Sequence, residues 1–351
     1  MAYKPPHVRA HRVYQPGKRH MELMPSVSRS SGLDKDGHAL KNRAVQEEYR
    51  AFIEEKVNEF WKHHPYDANE SEADRRNRQE EQENILILFR KLREGLLATD
   101  RKDMFALEVY ETSLHLAILF HSEKQTTSIL SHLFPKLYLT SPGATDTIHT
   151  ALSTALLSLL HHLVLGYPSQ NRYHEHLHSL PRTLLPRDHP AHRWLGQLTR
   201  CLRVSNYARL QELTDHSAFE QFFLISISQQ ADRGAERPSN LALEAMCTLV
   251  KGILAKARAT AWLIMRNAYR EIHCASPPAG TQEVGRAELS PTSQWLARSL
   301  ALRPLACGGI EVDDIVKVVD EWLSHKCADG EVRRKEGAQG RWIVCKVPVR
   351  M

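Results

Sequence analysis

Apolar residues recur every three or four positions through most of the interior of this chain, and that spacing constrains its fold more than any other feature. Tyr49, Phe52, Ile53, Val57 and Phe60 form one such series, and Ile85, Leu88, Phe89, Leu92 and Leu96 a second. Leu107, Tyr110, Leu114, Ala117 and Ile118 form a third, followed by Leu130, Leu133, Phe134 and Leu137. This spacing places each series on one side of a helix. Further helices are expected over 145–165, 190–204, 206–213, 217–229 and 239–273, with little strand signal before residue 325. Short helices joined by short connections imply antiparallel pairs stacked side by side, an all-α helical repeat. No exact period is visible, so the repeat would be a divergent one.

Local signals place several boundaries. The first long helix runs from about Asn42 to His64, where Pro65 stops it. Ser71-x-x-Asp74 has capping-box spacing, with Asp in place of the usual Glu or Gln, and opens the second helix. That helix begins with Arg75, Arg76, Arg78, Glu80, Glu81 and Glu83, a solvated first half, and turns apolar only at Ile85. Trp194, Phe219, Phe222, Phe223 and Trp262 are expected in the core.

Residues 1–42 read differently. They hold eight Lys/Arg against three acids, four prolines and a Ser/Gly cluster, which suits a disordered basic arm. The whole chain of 351 residues has 47 basic and 41 acidic residues, so its charge excess is small and matters by location. Six cysteines are scattered without a C-x-x-C pair and read as reduced core thiols. No secretory signal pattern opens the sequence, and the expected compartment is nucleus or cytoplasm. The longest apolar stretch, Ala151 to Leu165, is too short for a membrane span and contains His161 and His162.

Residues 43–275 form the expected helical region, and residues 276–291, rich in Pro, Gly and Ser, a linker. The last unit, 292–351, carries an apolar helix stripe at Ile315, Val316, Val319, Trp322 and Leu323 behind the acids Glu311, Asp313 and Asp314. Two short strands then flank a Gly337-Ala338-Gln339-Gly340 turn. Trp342 and Val344 lie on one strand face, and Ile343, Cys345 and Val347 on the other. Helix, helix, hairpin is the order of a C-terminal winged helix.

Several of these segments carry a family likeness. The run Leu92-Arg93-Glu94-Gly95-Leu96-Leu97, followed by Arg101, Asp103, Phe105 and Glu108-Val109-Tyr110-Glu111, resembles the opening of the PCI region of the Sac/GANP/Thp type. Leu133 to Tyr138, Asn206-Tyr207, the basic-aromatic helix Lys256 to Tyr269 and the terminal Val312 to Val347 resemble later parts of it. The likeness spans roughly 84–347. His121 to Gln125 and Ala208-Arg209-Leu210 depart from the pattern, which leaves open the related small PCI subunits of the proteasome lid, the signalosome and initiation factor three. The resemblance implies a stack of helices whose winged helix joins other PCI-type subunits, in complexes handling messenger RNA or in lid-like assemblies.

The common phosphate-loop, nucleophile-elbow, zinc-helix and dinucleotide signatures are absent, so the expectation is a non-catalytic scaffold with no cofactor and no small-molecule substrate. An enzyme with an unrecognised site is the last alternative. His174-x-His176-x-His178 is the one metal-like cluster, but ligands two apart diverge on a helix or strand, and a solvated polar loop is expected there. Arg333, Arg334, Lys335 and Arg341 make the hairpin basic, suited to RNA or single-stranded DNA phosphate or else to protecting an edge strand. Ile315, Val319 and Trp322 are expected to hold the winged helix to the helical stack or to meet a partner.

Overall fold

A computed structural model describes residues 18–27, 39–64, 71–138, 147–223, 240–274, 290–302 and 315–346. These are mostly helical, with one small three-stranded sheet. The chain divides into two compact units, Met1–Pro142 and Gly143–Met351. The continuous helical region expected over 43–275 is therefore split after Pro142. No helix among the described residues is long and apolar enough to cross a membrane.

In the first unit, α1 (Lys18–Leu23), α2 (Arg43–His63), α3 (Glu72–Ala98), α4 (Met104–Leu119) and α5 (Glu123–His132) each pack against the next, with the pairing strongest from α2 onward. Side-chain caps open three of them. Asn42 accepts from the Ala44 amide at 2.9 Å, Ser71 from Asp74 at 3.1 Å and Asp103 from Ala106 at 3.0 Å. Ser71 also donates its hydroxyl to the Asp74 carboxylate at 2.6 Å, so the two residues meet through the Ser71 hydroxyl, where the expected capping box would use the Ser71 amide. Tyr110 is buried on α4, which packs on α3, and the Arg93 guanidinium lies 6.0 Å from its ring.

A buried polar network joins α2, α3 and α4. Gln46, with no exposure, donates to the Leu40 carbonyl at 2.8 Å and accepts from Arg101 at 3.0 Å. Arg101 also reaches Glu47 at 2.8 Å and Asp103 at 2.7 Å, and it lies 4.1 Å over the Phe105 ring. The described part of the arm expected to be disordered is ordered: residues 18–23 are helical, and Met24 and Leu40 are buried. Residues 1–17 and 28–38 lie outside the described residues, as do the 275–289 segment and Glu311, Asp313 and Asp314.

In the second unit, α6 (Thr147–Gly166) packs against α7 (Asn171–Ser179) and α11 (Leu241–Ala268). α8 (Pro190–Arg203) packs on α9 (Tyr207–Leu213), whose Asn206 cap accepts from Arg209 at 3.2 Å. Trp194 on α8 donates its indole N–H to Leu213 at 2.9 Å, and its ring is tilted by 52° against Phe219 and 60° against Phe222. A short α10 (His216–Phe219) carries Phe219 into the core.

The end of the chain departs from the sequence reading. α11 stops at Ala268, and Glu271–His273 forms a strand, β1. It is followed by α12 (Pro291–Ser299), α13 (Ile315–Ala328), β2 (Val332–Arg334) and β3 (Arg341–Val344). Both neighbours of β3 are antiparallel and the sheet order is β1-β3-β2. The expected domain edge at 291/292 thus separates β1 from its sheet. A three-residue strand has no periodicity of its own, and only pairing with Arg341 to Ile343 defines it.

Gly95 supplies a sharp test of the first unit. A Cβ there would lie 2.6 Å from the Leu40 carbonyl oxygen, which also accepts the Gln46 amide. Gly95→Ala should gain about 1 kcal/mol of helix propensity, yet overpacking against a fixed backbone should leave it less stable by about 1–3 kcal/mol. Urea unfolding with the midpoint at or above the native value would place Leu40 elsewhere.

Candidate functional site

The terminal part of the second unit is organised around Glu331. Its carboxylate accepts from the Trp262 indole at 2.8 Å, from Arg266 at 2.8 Å and from Lys326 at 2.9 Å. Burial alone would raise this carboxyl, but hydrogen bonds from Lys326 and Trp262 and the charges of Lys326 and Arg266 outweigh it, and its pKa is lowered. Trp262 meets Trp322 of α13 edge-on, with centroids 4.7 Å apart at 90°. These side chains, with Arg258 and Leu263, line a groove of 330 Å³.

The sheet has two unlike faces. Ile272, Trp342, Val344 and Val332 are buried on one, while Glu271, His273, Arg341 and Arg333 are exposed on the other, with Ile343 half-buried among them. The alternation expected for Trp342 and Val344 is therefore present. Gly337 and Gly340, both at φ 71°, let the chain between β2 and β3 turn back through left-handed backbone.

The four basic residues of the hairpin do not act alike. Lys335 pairs with Glu271 at 3.2 Å, and Arg341 approaches the same carboxylate at 3.6 Å. Arg334 lies 4.9 Å over the Trp342 ring. Arg333 is exposed and pairs with no acid among the described residues. Of the apolar stripe, Val319 is in the core, Trp322 is half-buried against Trp262, and Ile315 is half-buried beside Gln211 and Ala297.

Sequence reasoning missed Glu271, because it assigned this segment to a helix. It also missed the exposed aromatic pair Tyr269 and Trp295, whose rings meet edge-on at 5.3 Å.

The histidine-rich segment is helix α7, not the polar loop expected. Tyr173 and Leu180 are buried seven apart, and that amphipathic spacing favours the helix. His178 donates to the His174 carbonyl at 2.6 Å, whereas His176 turns toward α6, hydrogen-bonded to Ser158 and 4.5 Å from the His162 ring. Among the described residues no three His, Cys, Asp or Glu groups are placed to hold a metal ion. Ser158 is fully buried.

Burial, then the neighbouring imidazoles, holds His161 and His176 at about 4. Burial and the Arg172 charge also lower His162. Compared with protein-family models, curated proteins and solved structures, the chain has no match.

The cluster predicts a pH dependence. A histidine whose folded pKa lies below its unfolded value of about 6.5 stabilises fully above that value and loses its contribution as pH falls toward 4, because the unfolded chain binds protons first. Denaturant midpoints should hold above about pH 7 and decline between about 6.5 and 5, before most carboxylates titrate. His176→Gln should flatten that decline. A midpoint unchanged from pH 7.5 to 5 would mean these rings are open to water.

Proposed function

We propose that this chain is a non-catalytic PCI-type scaffold or adaptor subunit of a multiprotein complex that handles messenger RNA in the nucleus or cytoplasm. In this reading, stacked antiparallel helices end in a winged helix. The observation that carries it is the terminal order α11, β1, α12, α13, β2, β3 with strand order β1-β3-β2. A helix, a strand, two further helices and a hairpin whose last strand is central are what a winged helix requires.

The residues that carry the family resemblance support the reading by having packing roles. Arg93 donates to Gln125 at 2.8 Å, Gly95 admits Leu40, and Arg101 gathers Gln46, Glu47 and Asp103. In the basic-aromatic helix, Lys256, Arg258, Trp262 and Arg266 each make a long-range hydrogen bond. The exposed face of α13 mixes Lys317 and His325 with Asp320 and Glu321. That face is poorly suited to reading duplex phosphate and base edges, which favours an adaptor over a duplex-DNA reader.

The test is purification of the tagged full-length chain from the cells that make it. Near-stoichiometric recovery with other helical, winged-helix subunits and with messenger RNA is expected. Recovery with proteasome-lid, signalosome or initiation-factor subunits instead would overturn the messenger-RNA assignment. A lone monomer that turns over a defined substrate, with turnover abolished by one point change, would overturn the scaffold reading itself.

A further inference from the structure

Two large aromatic rings stand open at the β1 edge of the terminal sheet. Tyr269 is 45% exposed and Trp295 37% exposed, whereas Trp194, Trp262 and Trp342 are all buried. Their ring centroids are 5.3 Å apart at 69°, so each ring holds the other in place. The backbone around them is fixed as well. Tyr269 donates its amide to Met265 at 2.9 Å, and Val344 donates to the Arg270 carbonyl at 2.9 Å. Trp295 sits on α12, whose Leu296 and Ala297 are buried and whose C-terminal carbonyl end is held by Arg258.

Cations lie near this pair in the chain and on the sheet. Arg270 follows Tyr269, and Arg298 lies one turn from Trp295 on α12; both are exposed. Arg341 sits opposite His273 on the next strand, and Arg333 opposite Ile343 on the strand beyond. Arg341 thus lies one strand across and four residues along from Tyr269, and Arg333 two strands across and two residues along, so both stand on the outer face within about two nucleotide steps of the aromatic edge. Glu271 is the one acid of the three strands, and it already engages Lys335 and Arg341.

We propose that Tyr269 and Trp295 form a base-stacking platform for single-stranded nucleic acid, whose phosphates cross Arg341 and Arg333 and displace Glu271 as their counter-anion. Open aromatic rings beside a cationic track are what sequence-tolerant single-strand binding needs, since every base has a face to stack and every nucleotide a phosphate. Arg270, Arg298, Arg333 and Arg341 stand here against the single strand acid Glu271, and that imbalance favours a polyanion over a protein partner of mixed charge. The proposal deepens the messenger-RNA reading above and rests on it for biological context.

The experiment is a salt titration of fluorescently labelled twelve-residue oligo-uridine and oligo-thymidine against the full-length chain. Trp295→Ala with Tyr269→Ala should weaken binding by about tenfold or more, with the salt slope unchanged. Arg333→Ala with Arg341→Ala should weaken binding and flatten the slope. Glu271→Gln should tighten binding, because phosphate no longer competes with a resident carboxylate. Trp295→Phe with Tyr269→Phe retains two rings and should bind nearly as the native chain does, which separates stacking from misfolding.

No oligonucleotide binding by the native chain would overturn the proposal, as would native-like affinity of the double-alanine variant. Unchanged or weaker binding by Glu271→Gln would overturn the counter-anion role. Loss of a protein subunit from the purified complex, with oligonucleotide binding intact in the double-alanine variant, would make this surface a protein interface. Subunit recovery reports on the scaffold reading separately, so the two can fail independently.

Discussion

The second unit depends on one helix supplying cations to backbone carbonyls that its neighbours leave open. A helix end exposes carbonyls with no partner of its own, and burying them unsatisfied is costly. Lys256 of α11 (Leu241–Ala268) donates to Val164 at 2.6 Å, in the last turn of α6 (Thr147–Gly166). Arg258, two residues on, donates to Leu300 at 2.9 Å and Ala301 at 2.7 Å, just beyond α12 (Pro291–Ser299). Arg266 donates to Cys345 at 3.0 Å, past the end of β3. Each charged hydrogen bond contributes on the order of 1.5–3 kcal/mol, and at the helix ends the positive charge also complements the macrodipole. One helix thereby fixes a neighbouring helix, a second helix and the sheet.

The first unit solves a similar problem around Arg101. Its guanidinium satisfies the fully buried Gln46 and reaches the carboxylates of Glu47 and Asp103, which remain partly open to water. Burial raises the Asp103 carboxyl, but the Ala106 amide and Arg101 outweigh it and its pKa is lowered. Arg93 is more isolated. Desolvation, helped by the Arg90 charge and resisted by Tyr110 and Glu94, lowers its pKa to about 10, and its partners are the Gln125 amide and the Tyr110 ring. Arg93 and Arg101 thus act in packing, and function has to be argued from what remains at the surface.

Helices were legible because each buries a stripe whose period is local. Phe52, Ile53 and Phe60 or Leu88, Phe89 and Leu92 announce their faces within a few turns, and Ser71 and Asn42 mark starts through hydrogen bonds to residues two or three ahead. What was illegible depends on distant partners. β1 (Glu271–His273) exists only through pairing with Arg341 to Ile343, and Leu40 is buried against Gly95, more than fifty residues on. The hairpin cations looked alike in sequence. The fold distinguishes them by setting Glu271 beside Lys335 and Arg341, and Trp342 beneath Arg334.

Two glutamates of the terminal unit show why burial, and not charge count, decides what a surface can do. Glu331 has a side chain 25% exposed and holds three donors, one of them an indole with a single N–H. Withdrawing its cations would leave a poorly hydrated carboxylate beside Trp262, so this arrangement is structural. Glu271, 36% exposed, holds two cations that are themselves more open, at 39% for Lys335 and 45% for Arg341. Such surface pairs contribute about 0–1 kcal/mol each, and either partner is rehydrated when the other leaves. Exchange of a carboxylate for a phosphate therefore costs little at Glu271 and much at Glu331. The outer face of the sheet can engage an anionic ligand without loosening the inner face on which the unit is built.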